Sequence, residues 1–286
     1  MSVLNDIKAR FKHGTIVEQL IYINIGVFII ALLFSSFSGL YESRNNFIFD
    51  WFSLSSSFDF FITRPWTIVT YGFLHAGFLH ILFNCIVLFY FGRMFLEYFS
   101  PKQLLSFYVL GTLFGGIIYL LSYNYFPIFR GQTAPLVGAS AGISAIVIGI
   151  ATYIPNYQLS FRFIGFIKLW HLAAVFILLD FIQLAGSNGG GHFAHIGGAL
   201  FGFLYVSQAS NKKIDLFGWV SNLFKTKKKP LKTVHKSKKR KTKKTVSATA
   251  KTEDQKQIDA ILDKISKSGY DTLTKEEKQF LFKQGK

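Results

Sequence analysis

Six stretches of nearly unbroken apolar sequence occupy most of the chain between residues 17 and 209, at 17–38, 78–98, 103–124, 135–153, 164–184 and 192–209. A helix rises about 1.5 Å per residue, so about 20 apolar residues match the ~30 Å hydrocarbon core of a bilayer. A soluble domain has no use for six such runs, and half of the 286 residues are hydrophobic, 33 of them phenylalanine. The expected fold class is therefore all-α: a polytopic membrane protein with a six-transmembrane-helix bundle. The first run follows Lys8, Arg10 and Lys12 and ends in SSFSGLYES without a small-x-small cleavage pattern. It reads as a retained helix rather than a signal peptide. The long connector 39–77 is aromatic and irregular, a composition suited to the membrane interface.

Charge supplies the orientation. The formal charge of +17 is concentrated in one place: twelve Lys or Arg and no acid lie between Lys225 and Lys244, whereas 253–286 balances seven bases with seven acids. With the amino terminus inside, the outer loops carry only Arg44, Arg64 and Arg130 of the 32 Lys and Arg. Both termini are then expected to be cytoplasmic, in a plasma (inner) membrane. Four parts follow: a cytoplasmic segment 1–16, a membrane domain 17–210, a polybasic disordered linker 211–252 and a small cytoplasmic helical hairpin 253–286. The linker should lie on anionic lipid headgroups at about 1 kcal/mol per close base. A charge run beside a span is more often topological than nucleic-acid-binding, so no nucleic acid is expected. In the hairpin, Ile258, Ile261, Leu262 and Ile265 fall at helical spacing before Gly269, and Thr274 with Glu277 forms a capping box. It is too short to own a core unless it docks on a partner, which the sequence does not name.

The second, fourth and sixth runs all cross from outside to inside, so residues near their starts share one depth. Those starts contain HAGFLHILFN (75–84), GASAG (138–142) and GGGHFAHIGG (189–198). Counting from Pro135 puts Ser140 roughly 8 Å below the start of its run, and His195 about 5 Å below the start of the sixth. Asn84 lies one turn after His80 on the same face. A hydroxyl, imidazoles and an amide thus converge just below the outer surface. A serine hydroxyl needs a base to take its proton, and neutral His195 is the best-placed acceptor. Attack on a carbonyl leaves an oxyanion; the amides around Ser140 and the side chains of Asn84 and His80 are donors of the right type. Gly138 and Ala139 leave room for a substrate backbone. Gly198 and Gly202 form a GxxxG that allows close packing, and if the fourth run is the neighbour, Ser140 and His195 come within hydrogen-bond range. Taken singly each feature has a plainer structural use; only their joint depth points to chemistry.

Other clusters carry less. The four histidines 75, 80, 192 and 195 lack an HExxH and a flanking carboxylate, so neither metal nor cofactor is expected. Asp180, near the outer end of the fifth run, could orient a histidine but more often such a residue caps or bonds a neighbouring helix. Cys85 reads as a packing residue.

Together HxxxxHILFN, GAS and AHIGGALFG resemble the rhomboid intramembrane serine proteases, from residue 17 to about 210. The resemblance implies a Ser–His dyad without an acid, with Ser140 as nucleophile and His195 as general base. It implies oxyanion donors at the Ser140 amide, His80 and Asn84, a structural role for His75, and substrate access beside the fifth helix at Phe83. It further implies hydrolysis of single-span transmembrane proteins near the outer face. Three positions depart from the family pattern. Ala141 replaces a glycine after the serine, Ser144 stands where an aromatic often supports the histidine, and Trp66-Thr67 replaces Trp-Arg. Two rival readings remain: a catalytically weak or inactive rhomboid-like protein that binds transmembrane helices, which Ser144 keeps alive, and a proton-relaying transporter. The latter ranks last, because the runs become uniformly apolar below the site.

Overall fold

A computed structural model describes residues 3–40, 46–162, 165–209 and 253–284. It separates into two units, 1–227 and 228–286, each considered by itself. The linker 211–252 and Arg44 lie outside the described residues.

Helix α1 (Val3–His13) is followed by α2 (Ile16–Leu40). Between them Thr15 and Glu18 cap the start of α2: the Thr15 amide donates to Glu18 Oε2 at 2.7 Å and the Glu18 amide to Thr15 Oγ1 at 3.3 Å. Three short helices, α3 (Phe47–Phe52), α4 (Phe58–Thr63) and α5 (Thr67–Thr70), fold the aromatic connector. There Trp51 and Trp66 stack in parallel at 6.1 Å and the Arg64 guanidinium lies 4.6 Å over Trp51. The arginine absent after Trp66 thus has a nearby counterpart two residues before it. Helix α6 (Phe78–Tyr98) leads to α7 (Pro101–Tyr125), which begins two residues before the expected 103 because Ser100 and Gln103 form a capping box with Pro101 in the first turn. Then come α8 (Ser140–Tyr153), α9 (Leu169–Ile182) and α10 (Gly189–Ala209).

Each expected run therefore contains a helix, and two of these helices start later than expected. Residues 135–136 are not helical: β2 (Pro135–Leu136) pairs antiparallel with β1 (Leu54–Ser55) from the connector. Residues 165–168 form β4 (Gly165–Lys168), which pairs with β3 (Gln158–Phe161) and delays α9 to Leu169. Among the described residues the chain is thus mostly helical with two small two-stranded ribbons rather than purely α. Among the described residues, Ile16–Gly39, Phe78–Tyr98 and Pro101–Tyr125 are long and apolar enough to cross a membrane; α8 and α9, with 14 residues each, are shorter.

The bundle is apolar both inside and on its outer faces. Leu88, Phe95, Phe107, Tyr108, Ile146 and Ile150 are buried between the helices, while Ile29, Ile30, Leu33 and Phe37 of α2 and Leu178, Leu179 and Ile182 of α9 are exposed. Exposed leucines and isoleucines on this scale suit contact with lipid. Helix α8 is the hub, with ten of its residues buried by α6, α7 and α10. Its union with α10 is close: a methyl group on Gly198 would lie 2.0 Å from the Ala141 carbonyl oxygen, and one on Gly202 2.3 Å from that of Ala145. The GxxxG of α10 lies on the Ala141/Ala145 stripe of α8, and only hydrogen fits between the backbones.

In the carboxy-terminal unit, α11 (Glu253–Ser268) ends at Gly269, whose φ of +82° suits glycine, and α12 (Lys275–Gln284) follows. The capping box forms, with the Thr274 amide donating to Glu277 Oε2 at 2.7 Å. Lys264 ties the two helices together through Glu277 at 2.9 Å.

Candidate active site

Ser140 is the first residue of α8, not five residues into it, because the segment before it is held extended. Tyr119 donates its hydroxyl to the Ala134 carbonyl at 2.6 Å, and Ser56 pairs with Ala134 on both sides. The Gly138 amide donates to the Tyr71 carbonyl at 3.0 Å. Gly138 has φ +134°, and a methyl group there would lie 2.8 Å from His80 Nε2 and 3.4 Å from Ser140 Oγ. Both facts demand glycine. Ala139 is the buried N-cap. The turn delivers Ser140 to a helix amino terminus, where the first amides have no partner inside the helix and favour negative charge.

His195 lies six residues into α10, which starts at Gly189, three residues before the expected position. Its Nε2 is 2.7 Å from Ser140 Oγ. On its other edge, Nδ1 is 2.9 Å from Asp180 Oδ1, and the same oxygen is 2.8 Å from His192 Nδ1. Asp180 and His192 were not among the expected site residues. The missing information was the rotation of α9, an apolar helix with no polar stripe to mark its inward face. Asp180, His192 and His195 set three ligand-type atoms within 4.8 Å of one another. The spacings at the shared oxygen are those of hydrogen bonds.

His80 and Asn84 lie on α6, facing the same cavity of about 700 Å³ as Ser140 and His195. The Asn84 amide gives one N–H to the His80 carbonyl at 2.8 Å, which leaves its second N–H uncommitted to that bond. His75, in the loop before α6, is buried with its ring edge-on to His80 at 5.1 Å. Burial pushes its pKa down to about 4, with neighbouring His80 acting in the same direction, so it is neutral near pH 7. Phe83 on α6 and Phe176 on α9 line one side of the cavity, and Phe83 is largely exposed. Ser144 lines it too, one turn after Ser140. Gly198 and Gly202 stand behind the site in the α8–α10 seam and do not line it.

A serine–imidazole pair at a helix start, in a cavity inside an apolar bundle, invites comparison with known membrane hydrolases. Over residues 63–211, slightly more than half its length, the chain matches the family described as "Rhomboid domain". The chain belongs to the rhomboid family. It is 28% identical over 195 residues to "RHOMBOID-like protein 12, mitochondrial" of Arabidopsis thaliana, covering 64% of this chain and 55% of that one. It is 29% identical over 147 residues to "Presenilin-associated rhomboid-like protein A, mitochondrial" of Danio rerio, covering 50% and 37%. With "Rhomboid-like protein 16, chloroplastic" of Arabidopsis thaliana it shares 38% identity over 68 residues, covering 24% and 21%. The chain thus spans about half the length of the first of these rhomboid relatives and less of the others. Residues 247–283 match a second family, described as one of unknown function (DUF6576).

These names correct one expectation. The plasma-membrane placement, with cytoplasmic termini, is overturned by rhomboid relatives that are mitochondrial and chloroplastic. The physical reason is plain: charge asymmetry orients a chain across a bilayer but does not choose the bilayer.

Proposed function

We propose that the chain is a serine endopeptidase of rhomboid type that hydrolyses peptide bonds of single-span transmembrane proteins near the membrane face opposite its basic linker. The observation that carries this reading is the 2.7 Å approach of Ser140 Oγ to His195 Nε2 in a cavity with oxyanion donors at hand. His195 takes the Ser140 proton at Nε2 as Oγ attacks the scissile carbonyl. The resulting oxyanion is met by the Ser140 amide at the α8 amino terminus, by His80 and by the second N–H of Asn84. His195 returns its proton to the leaving amine, the C–N bond breaks, and an acyl-enzyme remains on Ser140. Water, deprotonated by His195, then attacks the ester and releases the new carboxyl terminus.

In this reading all six helices in α2 and α6–α10 act as spans, the 14-residue α8 and α9 being sheltered by the bundle. Phe83 and Phe176 mark the flank through which a substrate helix enters; Gly138 and Ala139, which do not line the cavity, shape the turn before Ser140 rather than making room for a substrate backbone. The linker 211–252 lies on anionic headgroups. The names of the relatives favour a mitochondrial or chloroplast membrane.

A second reading, capture of transmembrane helices without cleavage, draws on Ser144 in place of an aromatic and on the Asn84 amide already engaged by His80. One experiment separates them: purified full-length protein is mixed in proteoliposomes with a single-span reporter, beside Ser140→Ala and His195→Ala. Cleavage by wild type and by neither variant supports the protease. Cleavage undiminished in Ser140→Ala removes the nucleophile, and tight binding of the reporter with no cleavage by any form favours capture.

A further inference from the structure

We propose that Asp180 is the positioning residue of His195, and that His192 holds Asp180 in place. The site would then work with three groups in fixed order: serine, imidazole and carboxylate. This rests on the reading of Ser140 and His195 as nucleophile and base.

Helix α9 is apolar, and it buries only two residues, Leu169 and Asp180. An acid within such a helix is costly unless its charge is met. Here one oxygen faces two imidazole nitrogens, at 2.8 and 2.9 Å, while the carboxylate lines the same cavity as Ser140.

The geometry fixes a tautomer. An ionised carboxylate has acceptors and no donor, so each Nδ1 facing it must carry the proton. For His195 the remaining nitrogen, Nε2, then has a free lone pair, and that is the atom 2.7 Å from the Ser140 hydroxyl. An imidazole left to water would divide between two tautomers and two ring orientations, of which one combination accepts the serine proton. During attack His195 gains that proton at Nε2 and becomes a cation with both nitrogens protonated. Asp180 stabilises this cation and stays ionised, and the proton leaves from Nε2 to the departing amine. The carboxylate thus supplies from α9 the support that position 144, a serine on α8, does not. His192, one turn before His195, gives the carboxylate its second donor and so holds its rotamer.

A plain tether between α9 and α10 would use the same bonds and the same tautomer, but its loss would not lower kcat at unchanged KM in a protein that stays folded. The test therefore compares full-length wild type with Asp180→Asn and Asp180→Ala, by kcat and KM on the single-span reporter, by the rate of fluorophosphonate labelling at Ser140, and by 15N spectra of labelled histidine. The expected result is a kcat lower by roughly 10²- to 10⁴-fold in Asp180→Asn, with KM within about twofold and labelling slowed in parallel. In wild type, His195 should show its proton on Nδ1. A folded Asp180→Asn with kcat near wild type would overturn the proposal, and so would a wild-type His195 protonated on Nε2 alone. Should the variants not fold, the wild-type spectrum can still overturn the proposal, and Asp180→Glu, which keeps the carboxylate, should then fold and retain more of the wild-type kcat than either. Failure of the underlying reading looks different: wild-type Ser140 would resist the label, or cleavage would persist in Ser140→Ala.

Discussion

Alanine at Gly198 adds one methyl group where the structure has no space for it. That carbon would lie 2.0 Å from the Ala141 carbonyl oxygen and 2.8 Å from its carbon, and both are backbone atoms that no rotamer change removes. To restore ordinary contact at 3.4 Å, α10 and α8 must part by about 1.4 Å at this level. Gly198 is one turn after His195, and Ala141 directly follows Ser140, so the separation passes to the reacting pair. An approach of 2.7 Å would open toward about 4 Å, beyond the roughly 3.2 Å at which a proton is handed over. Misplacement by about 1 Å costs on the order of 10²-fold; we expect kcat to fall by roughly 10²- to 10³-fold, about 3–4 kcal/mol in barrier. Gly202→Ala is the companion. Its clash is similar, 2.3 Å from the Ala145 oxygen, but lies a turn farther from the pair, so thermal stability should drop comparably and kcat less. The assay is reporter cleavage in proteoliposomes, with thermal unfolding of each variant measured alongside. A Gly198→Ala protein that folds and cleaves within about twofold of wild type would refute the idea that backbone approach sets the pair.

Asn84→Ala should slow kcat by roughly 10²- to 10³-fold, about 2.7–4 kcal/mol, the range for one oxyanion donor, with little change in KM; an unchanged kcat would take Asn84 out of the site. In the carboxy-terminal unit, Lys264 holds the Glu277 carboxyl below its usual range. A depressed folded-state pKa stabilises above the unfolded value, near 4.3, and the stabilisation is lost as pH falls through the folded one. Amide protection factors across 253–284, corrected for the intrinsic pH dependence of exchange, should therefore fall on acidification below about pH 4, and this pH response should be blunted in Glu277→Gln. Equal acid responses in the two proteins would contradict it.

How much of this was legible in the sequence differs by element. Each predicted run holds a helix because long, nearly unbroken apolar sequence is a strong and local signal, although α8 and α9, at 14 residues, fall short of the bilayer length from which the runs are read. The starts at 135 and 164 were misread for one reason: in an apolar chain, strand residues such as Phe166 and Ile167 look like more helix, and pairing partners lie elsewhere. The proximity of Ser140 to His195 followed from small residues, since Gly198 and Gly202 mark the face of α10 that meets a neighbour. Asp180 did not follow, because nothing in the sequence of α9 says which way it is turned. The plasma-membrane placement asked charge for an answer it does not hold.

The most direct measurement of the central claim is peptide mapping of the fluorophosphonate adduct on wild type and on His195→Ala, both in lipid. The account predicts an adduct on Ser140 in wild type and labelling slowed by orders of magnitude in His195→Ala. An adduct on another residue, or equal labelling of Ser140 without His195, would contradict it.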